Sequence, residues 1–154
     1  MFWAGIRFNV TSDLVPCFGD PQAQRGGVTA RVYKEMLEEY LPTIMDHDTI
    51  FQQDNAPIHT SRLLRAWLAE QGFQVLDWLP YSPDLNPIEN LWFLLKEAIF
   101  KKNPELSTMP KNDTTLKLLC ELAVMCWLDL DKEMVNGLID SMPRRIEAVV
   151  KAQG

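Results

Sequence analysis

The stretch TIFQQDNAPIHTSRLLRAWLAEQGFQVLDWL, residues 49–79, changes hydrophobic period twice, and that change sets the fold class. Thr49 to Gln53 is a short strand that ends at Asp54. Asn55 to Thr60 is a polar loop containing Pro57. From Ser61 to Gln71 the residues Leu63, Leu64, Trp67 and Leu68 share one side of a helix, and Gly72 stops it. Phe73 to Leu79 is the next strand. Strand, helix, strand is a parallel crossover unit. It makes the Asp54 strand internal to a sheet, with its carboxyl end facing a crevice where sites tend to form.

Upstream, Phe2 to Val10 and Leu14 to Phe18 are strand-like, with turn chemistry at Thr11-Ser12-Asp13 between them. Gly26-Gly27 marks a loop, and Thr29 to Met45 has helical spacing. Downstream, Pro80, Pro83 and Pro87 make a rigid loop. A helix follows from about Pro87 to Lys101, with Leu91, Trp92, Leu94, Leu95, Ala98 and Ile99 as its buried stripe. Further helices are expected at about 114–128, 132–141 and 143–151. The order is that of a mixed α/β protein with an antiparallel start and a parallel continuation.

The 154 residues fit one domain, 1–154. An apolar fraction of 47% and a charged fraction of 23% exclude a disordered tail. No run reaches the roughly 20 apolar residues of a membrane helix, and the N-terminus lacks a signal-peptide layout, so no membrane partner is expected. Cys17, Cys120 and Cys126 form no CxxC pair, and buried thiols are expected. The net charge of −6 argues against tight DNA binding by this chain alone, because phosphate-binding proteins usually carry a basic face. It does not oppose metal chemistry, which needs local carboxylates.

Asp54, at a strand end, and Glu89, in the first turn of a helix, are the carboxylates best placed for that chemistry. Mg²⁺ takes hard oxygen ligands, commonly one or two carboxylates plus substrate phosphates. Two such ions about 4 Å apart stabilise both oxygens of a phosphodiester displacement. The residues alone leave a plainer origin open. Asp-Asn after a strand is ordinary turn material. Asn86-Pro87-Ile88-Glu89 is also a helix start, with Asn as N-cap, Pro first and Glu third. His59 either contacts phosphate or orients a ligand, or is a loop histidine bonded to backbone. Asp84 is expected to be a turn residue. Arg62, Arg65, Lys96, Lys101 and Lys102 are expected on solvated faces, and Trp67, Trp78 and Trp92 in the core. Arg144-Arg145 is the compact basic pair chosen as a DNA phosphate contact.

Two segments carry a resemblance. QDNAPIHTS, from Gln53 to Ser61, and YSPDLNPIENLW, from Tyr81 to Trp92, resemble the signature blocks of mariner-like and pogo-type transposases, of the DDE endonuclease superfamily. Thirty-four residues separate Asp54 from Glu89, in keeping with many members. Phe2-Trp3-Ala4-Gly5 and Ser141-Met142-Pro143-Arg144-Arg145 extend the likeness to both ends. It implies an α/β ribonuclease H-like fold, a mixed sheet with helices on both faces, and an Asp/Asp/Glu triad. Asp54 corresponds to the second Asp and Glu89 to the Glu, both metal ligands. The family's first Asp lies on a strand upstream of the segment matching Met1 to Val10. The expected domain is therefore truncated at its N-terminal strand, and the helix-turn-helix domains are also outside this sequence.

The resemblance further implies Mg²⁺ or Mn²⁺ as cofactor and DNA, as transposon ends and target, as partner. A homo-oligomer is a further expected assembly. The expected location is the nucleus in a eukaryote and otherwise intracellular. The expected function is DNA cleavage and strand transfer, inactive in this form. The alternative is a non-catalytic transposon remnant or a domesticated DNA- or protein-binding module.

Overall fold

The computed structural model describes residues 1–24, 26–80 and 82–152. Tyr81, which opens the second signature block, lies outside the described residues. In chain order the elements are β1 (Phe2–Trp3), β2 (Ile6–Arg7), β3 (Val10–Thr11), β4 (Val15–Pro16), α1 (Ala30–Tyr40), β5 (Ile50–Phe51), α2 (Arg62–Glu70), β6 (Gln74–Val75), α3 (Pro87–Lys102), α4 (Asp113–Leu128), α5 (Lys132–Asp140) and α6 (Met142–Lys151). Short 3₁₀ turns lie at Leu41–Thr43, Pro83–Leu85 and Pro104–Ser107. The chain divides into two compact units, Met1–Trp3 with Pro16–Tyr81, and Ala4–Val15 with Ser82–Gly154.

In the first unit β5 and β6 pair in parallel, Ile50 opposite Gln74 and Phe51 opposite Val75, with α2 as the crossover. Ser61 caps α2 by accepting from the Leu64 amide at 3.2 Å. Gly72 ends it at φ +74°, a left-handed conformation that side chains resist. The chain then turns directly into β6. Buried Leu64, Trp67 and Leu68 of α2 and Tyr33, Met36 and Leu37 of α1 supply the core of this unit. The expected internal position of β5 is not realised among the described residues. Strands pair two by two, β1 with β4, β2 with β3 and β5 with β6, in three small sheets instead of one wide one.

In the second unit the expected single strand from Phe2 to Val10 is broken. Ile6–Arg7 and Val10–Thr11 are the arms of an antiparallel hairpin. The chain reverses at Asn9, which adopts φ +63°, a conformation asparagine tolerates better than most residues. The Asn9 amide donates to Asn136 Oδ1 at 2.8 Å, and Asn136 Nδ2 donates to Asn9 Oδ1 at 2.7 Å, which fastens the hairpin to α5. Leu91, Leu95 and Ile99 of α3 are buried, as are Leu122, Ala123, Cys126 and Trp127 of α4. Trp92 stacks on Trp127 at 5.6 Å. Trp127 donates its indole N–H to the Ser12 carbonyl at 2.8 Å, so this deep ring leaves no orphan donor. Trp67 is buried as expected, whereas Trp78 and Trp92 are half-buried. Cys17 and Cys126 are buried, and Cys120 is intermediate.

Among the described residues, Asp20 is the one buried acidic group. The Thr29 hydroxyl donates to its Oδ2 at 2.7 Å, and the Gln22 amide (2.9 Å) and Arg31 (2.6 Å) donate to its Oδ1. These hydrogen bonds, Thr29 first, hold its carboxyl below the ordinary carboxylate value. A depressed folded value stabilises the fold above the unfolded value of about 3.9, and the stabilisation is lost as pH falls through the folded value. Urea midpoints should therefore fall more steeply below about pH 4 for the unmodified chain than for Asp20→Asn. Parallel midpoint curves would show that Asp20 has no such linkage.

Candidate active site and its carboxylates

β5 stops at Phe51, and Gln52 and Gln53 carry the chain out of the sheet to Asp54. The loop folds back on itself because the His59 and Thr60 amides both donate to the Ala56 carbonyl, at 2.8 and 3.0 Å. That turn sets the His59 ring beside Asp54, with Nδ1 2.5 Å from Oδ1. The Ala56 amide donates to the same oxygen at 3.0 Å. Asp54 Oδ2 takes no hydrogen bond from the described residues. The Asp54 side chain is 56% exposed and that of His59 is 16% exposed. One oxygen is thus held while the carboxylate stays open to solvent.

His59 is itself held from behind. Its ring lies 4.5 Å from that of Tyr33, which is buried on α1. The Tyr33 hydroxyl donates to Gln53 Oε1 at 3.4 Å, and Gln53 Nε2 approaches the His59 carbonyl at 3.5 Å. Burial pushes the Tyr33 phenol far above its ordinary value, so the ring stays neutral. Asn55 donates to the Trp78 carbonyl at 2.8 Å, which ties the loop to the segment after β6. The structure places the His59 ring against Asp54, and the His59 amide is bonded within the loop. Tyr33 escaped the sequence reading because its helical spacing marks it only as core.

Glu89 belongs to the second unit. Asn86 is the N-cap of α3 and Pro87 the first helical residue, as expected. The capping bond is not as expected: the Asn86 side chain accepts from no first-turn amide. Its Nδ2 instead approaches Glu89 Oε1 at 3.4 Å, and its backbone N–H donates to the Pro83 carbonyl at 2.9 Å. Glu89 is exposed at the positive end of the helix, where an acidic side chain is favoured. It lines an open groove of about 670 Å³ with Asp84, Asn90, Phe93, Arg145 and Val149.

Arg144 is exposed, as a phosphate contact requires. Arg145 is not similarly free. Its guanidinium donates to the Asp84 carbonyl at 3.0 Å, to Asn90 Oδ1 at 2.9 Å and to Ser141 Oγ at 2.8 Å. Asp84 itself is exposed and contributes a backbone carbonyl, in line with a turn role. Arg62, Arg65, Lys96 and Lys101 are exposed, and Lys102 pairs with Asp129 at 2.6 Å.

As a cation site the donor chemistry fits: exposed carboxylate oxygens are what Mg²⁺ and Mn²⁺ accept. Among the described residues no group of three or more His, Cys, Asp or Glu side chains comes together around one point. The two carboxylates stand in different units, and each is positioned by its own surroundings.

Residues 21–109, more than half of the chain, match the family described as DDE superfamily endonuclease. The chain belongs to the DDE endonuclease superfamily. Both carboxylates fall inside the match. The Tc1 transposase of Caenorhabditis elegans is 38% identical over 105 residues, 68% of this chain and 35% of that protein. The chain spans about a third to a half of the length of its curated nematode relatives. Among solved structures, the catalytic domain of Mos1 transposase with raltegravir and Mn superposes with a TM-score of 0.63 at 22% identity, over 99% of this chain and 81% of that one. A Mos1 transposase paired-end complex with the left transposon end gives 0.64 at 23% identity, over 97% of this chain and 46% of that one. The DDE chain therefore has the mariner-like transposase catalytic fold, and the α/β class expected from its two signature blocks holds.

The Asp54–His59 contact has a measurable size. A double-mutant cycle with Asp54→Asn and His59→Phe, which keeps a ring against Tyr33, should give a coupling of roughly 0.5–1 kcal/mol in urea unfolding. Additive losses would mean the two side chains do not interact.

Proposed function

We propose that residues 1–154 are part of a transposase catalytic domain that cleaves DNA and transfers its strands, with Asp54 and Glu89 as ligands of divalent metal ions. The observation that carries this reading is the state of Asp54. A loop carboxylate three residues beyond β5 is fixed through one oxygen by His59 and Ala56, while the other takes no bond from the described residues. A histidine braced by a buried tyrosine fixes the direction of this carboxylate, as metal binding would need. Bound Mg²⁺ or Mn²⁺ would supply charge stabilisation for the attacking and leaving oxygens of a phosphodiester. The chain's own residues hold and orient: His59 and Ala56 fix Asp54, and the first turn of α3 presents Glu89.

DNA is the proposed substrate, as transposon end and target, with a second copy of the protein as the expected partner in pairing two ends. In a eukaryote that work lies in the nucleus. The relatives' names and the Mos1 complex with a transposon end support this choice. Arg144 is the proposed phosphate contact near the closing helix. Four other basic residues are paired within the protein. Arg31 pairs with Asp20 and Glu35, Lys34 with Glu38, Lys102 with Asp129 and Lys151 with Glu147. These four cations are less open to displace counterions from DNA, while Arg62, Arg65, Lys96, Lys101 and Arg144 stay exposed.

In a protein that joins this chain to the third carboxylate implied by the resemblance, Asp54→Asn and Glu89→Gln should each slow metal-dependent cleavage by roughly a hundredfold or more. Circular dichroism should remain unchanged, and unmodified rates in either variant would remove the assignment. The 154-residue chain matches two of the three carboxylates, and it should not nick supercoiled DNA in Mg²⁺. Nicking that Glu89→Gln abolishes would overturn that expectation. Its DNA binding should be weak and fall steeply between about 50 and 200 mM salt. Nanomolar, sequence-specific binding at physiological salt would contradict it.

A further inference from the structure

Arg145 lies near the start of α6, beside Ser141, on which α5 ends and α6 begins. Nε donates to the Oγ of Ser141, and Ser141 donates in turn to the Leu138 carbonyl at 2.5 Å, so the guanidinium is anchored at the α5–α6 junction. From there Nη1 makes two bonds, to the Asp84 carbonyl at 3.0 Å and to Asn90 Oδ1 at 2.9 Å. One acceptor lies in the loop before α3, and the other is the residue next to Glu89 in its first turn. The planar, fixed fork of arginine can hold both acceptors in one geometry, whereas the single ammonium of lysine cannot keep all three bonds.

We infer that Arg145 is a positioning residue, which clamps the entrance of α3 from α6 and thereby fixes the direction in which Glu89 is presented. The consequence for chemistry rests on the metal-ligand role proposed for Glu89. The clamp itself does not. Three of the five guanidinium N–H groups are spent on protein acceptors, so the phosphate role expected for the Arg144-Arg145 pair falls to the exposed Arg144.

Two measurements on the 154-residue chain decide the matter. The first is amide hydrogen exchange. Arg145→Gln should speed exchange at residues 89–92 by about tenfold while residues 95–102 keep their protection. Arg145→Lys should not restore it, because charge without the fork leaves an acceptor unpaired. Asn90→Ala removes the far end of the same bond and should give the same local pattern, which covers the case in which Arg145→Gln fails to fold. Unchanged exchange at 89–92 in both Arg145→Gln and Asn90→Ala, or full rescue by lysine, would overturn the clamp. The second measurement is Mn²⁺ binding, followed by water proton relaxation. Glu89→Gln should weaken it several-fold, Arg145→Gln should weaken it to a lesser degree, and the double variant should be no weaker than Glu89→Gln. If Glu89→Gln leaves Mn²⁺ binding unchanged, the ligand reading of Glu89 fails, while the exchange data still decide the clamp. If Glu89→Gln weakens binding and Arg145→Gln does not, the ligand reading stands and positioning by Arg145 is wrong.

Discussion

The parallel pairing of β5 with β6 imposes the geometry on which the first signature block depends. Parallel neighbours require a crossover, and here α2 supplies it between Ser61, its cap, and Gly72, its left-handed stop. The residues between the end of β5 and that cap must leave the sheet, reverse and enter a helix within a few positions. Ala56 accepts two amides to make the reversal, and His59 is thereby turned towards Asp54. A carboxylate at this point is held by the same bonds that let the chain change direction. Local folding and site construction are one event.

Much of this was legible in the residues. The switch from strand to helical spacing located β5 and α2 within a residue or two, the expected strand Phe73 to Leu79 ran four residues past the end of β6, and the Asn-Pro-x-Glu start located α3. The strands were overestimated for a common reason. Branched and aromatic residues from Phe2 to Val10 suit a strand, but they do not reveal where the chain reverses, and Asn9 was the only local hint. The partners of Arg145 were hidden for a different reason. A basic pair on a helix looks the same whether it meets phosphate or a carbonyl 61 residues away. Periodicity reports which face a residue occupies, and it is silent on what lies opposite. The Asn86 cap shows the same limit: the residue type was right, and the bond it makes was not.

The acidic balance of the chain is also organised. Some of the carboxylates, namely Asp20, Glu35, Glu38, Asp129 and Glu147, are matched by lysines and arginines of the same unit. Such exposed pairs contribute little to stability individually. Their effect is on the field: they leave small, local charges in place of a broad basic face. Asp54 stands outside this pattern, since its neighbours are a histidine and a backbone amide. Its negative charge is less fully compensated than that of Asp20, whose partners include Arg31.

The reciprocal pairing of Asn9 and Asn136 has a character the ion pairs lack. Both partners are neutral amides, each giving one N–H and taking one in return. Neither carries a proton that titrates, and neither is screened by added electrolyte. The tip of the β2–β3 hairpin is thus pinned to α5 by a fastening indifferent to acid and brine alike. It would stay seated under conditions that slacken every lysine–carboxylate link on the surface.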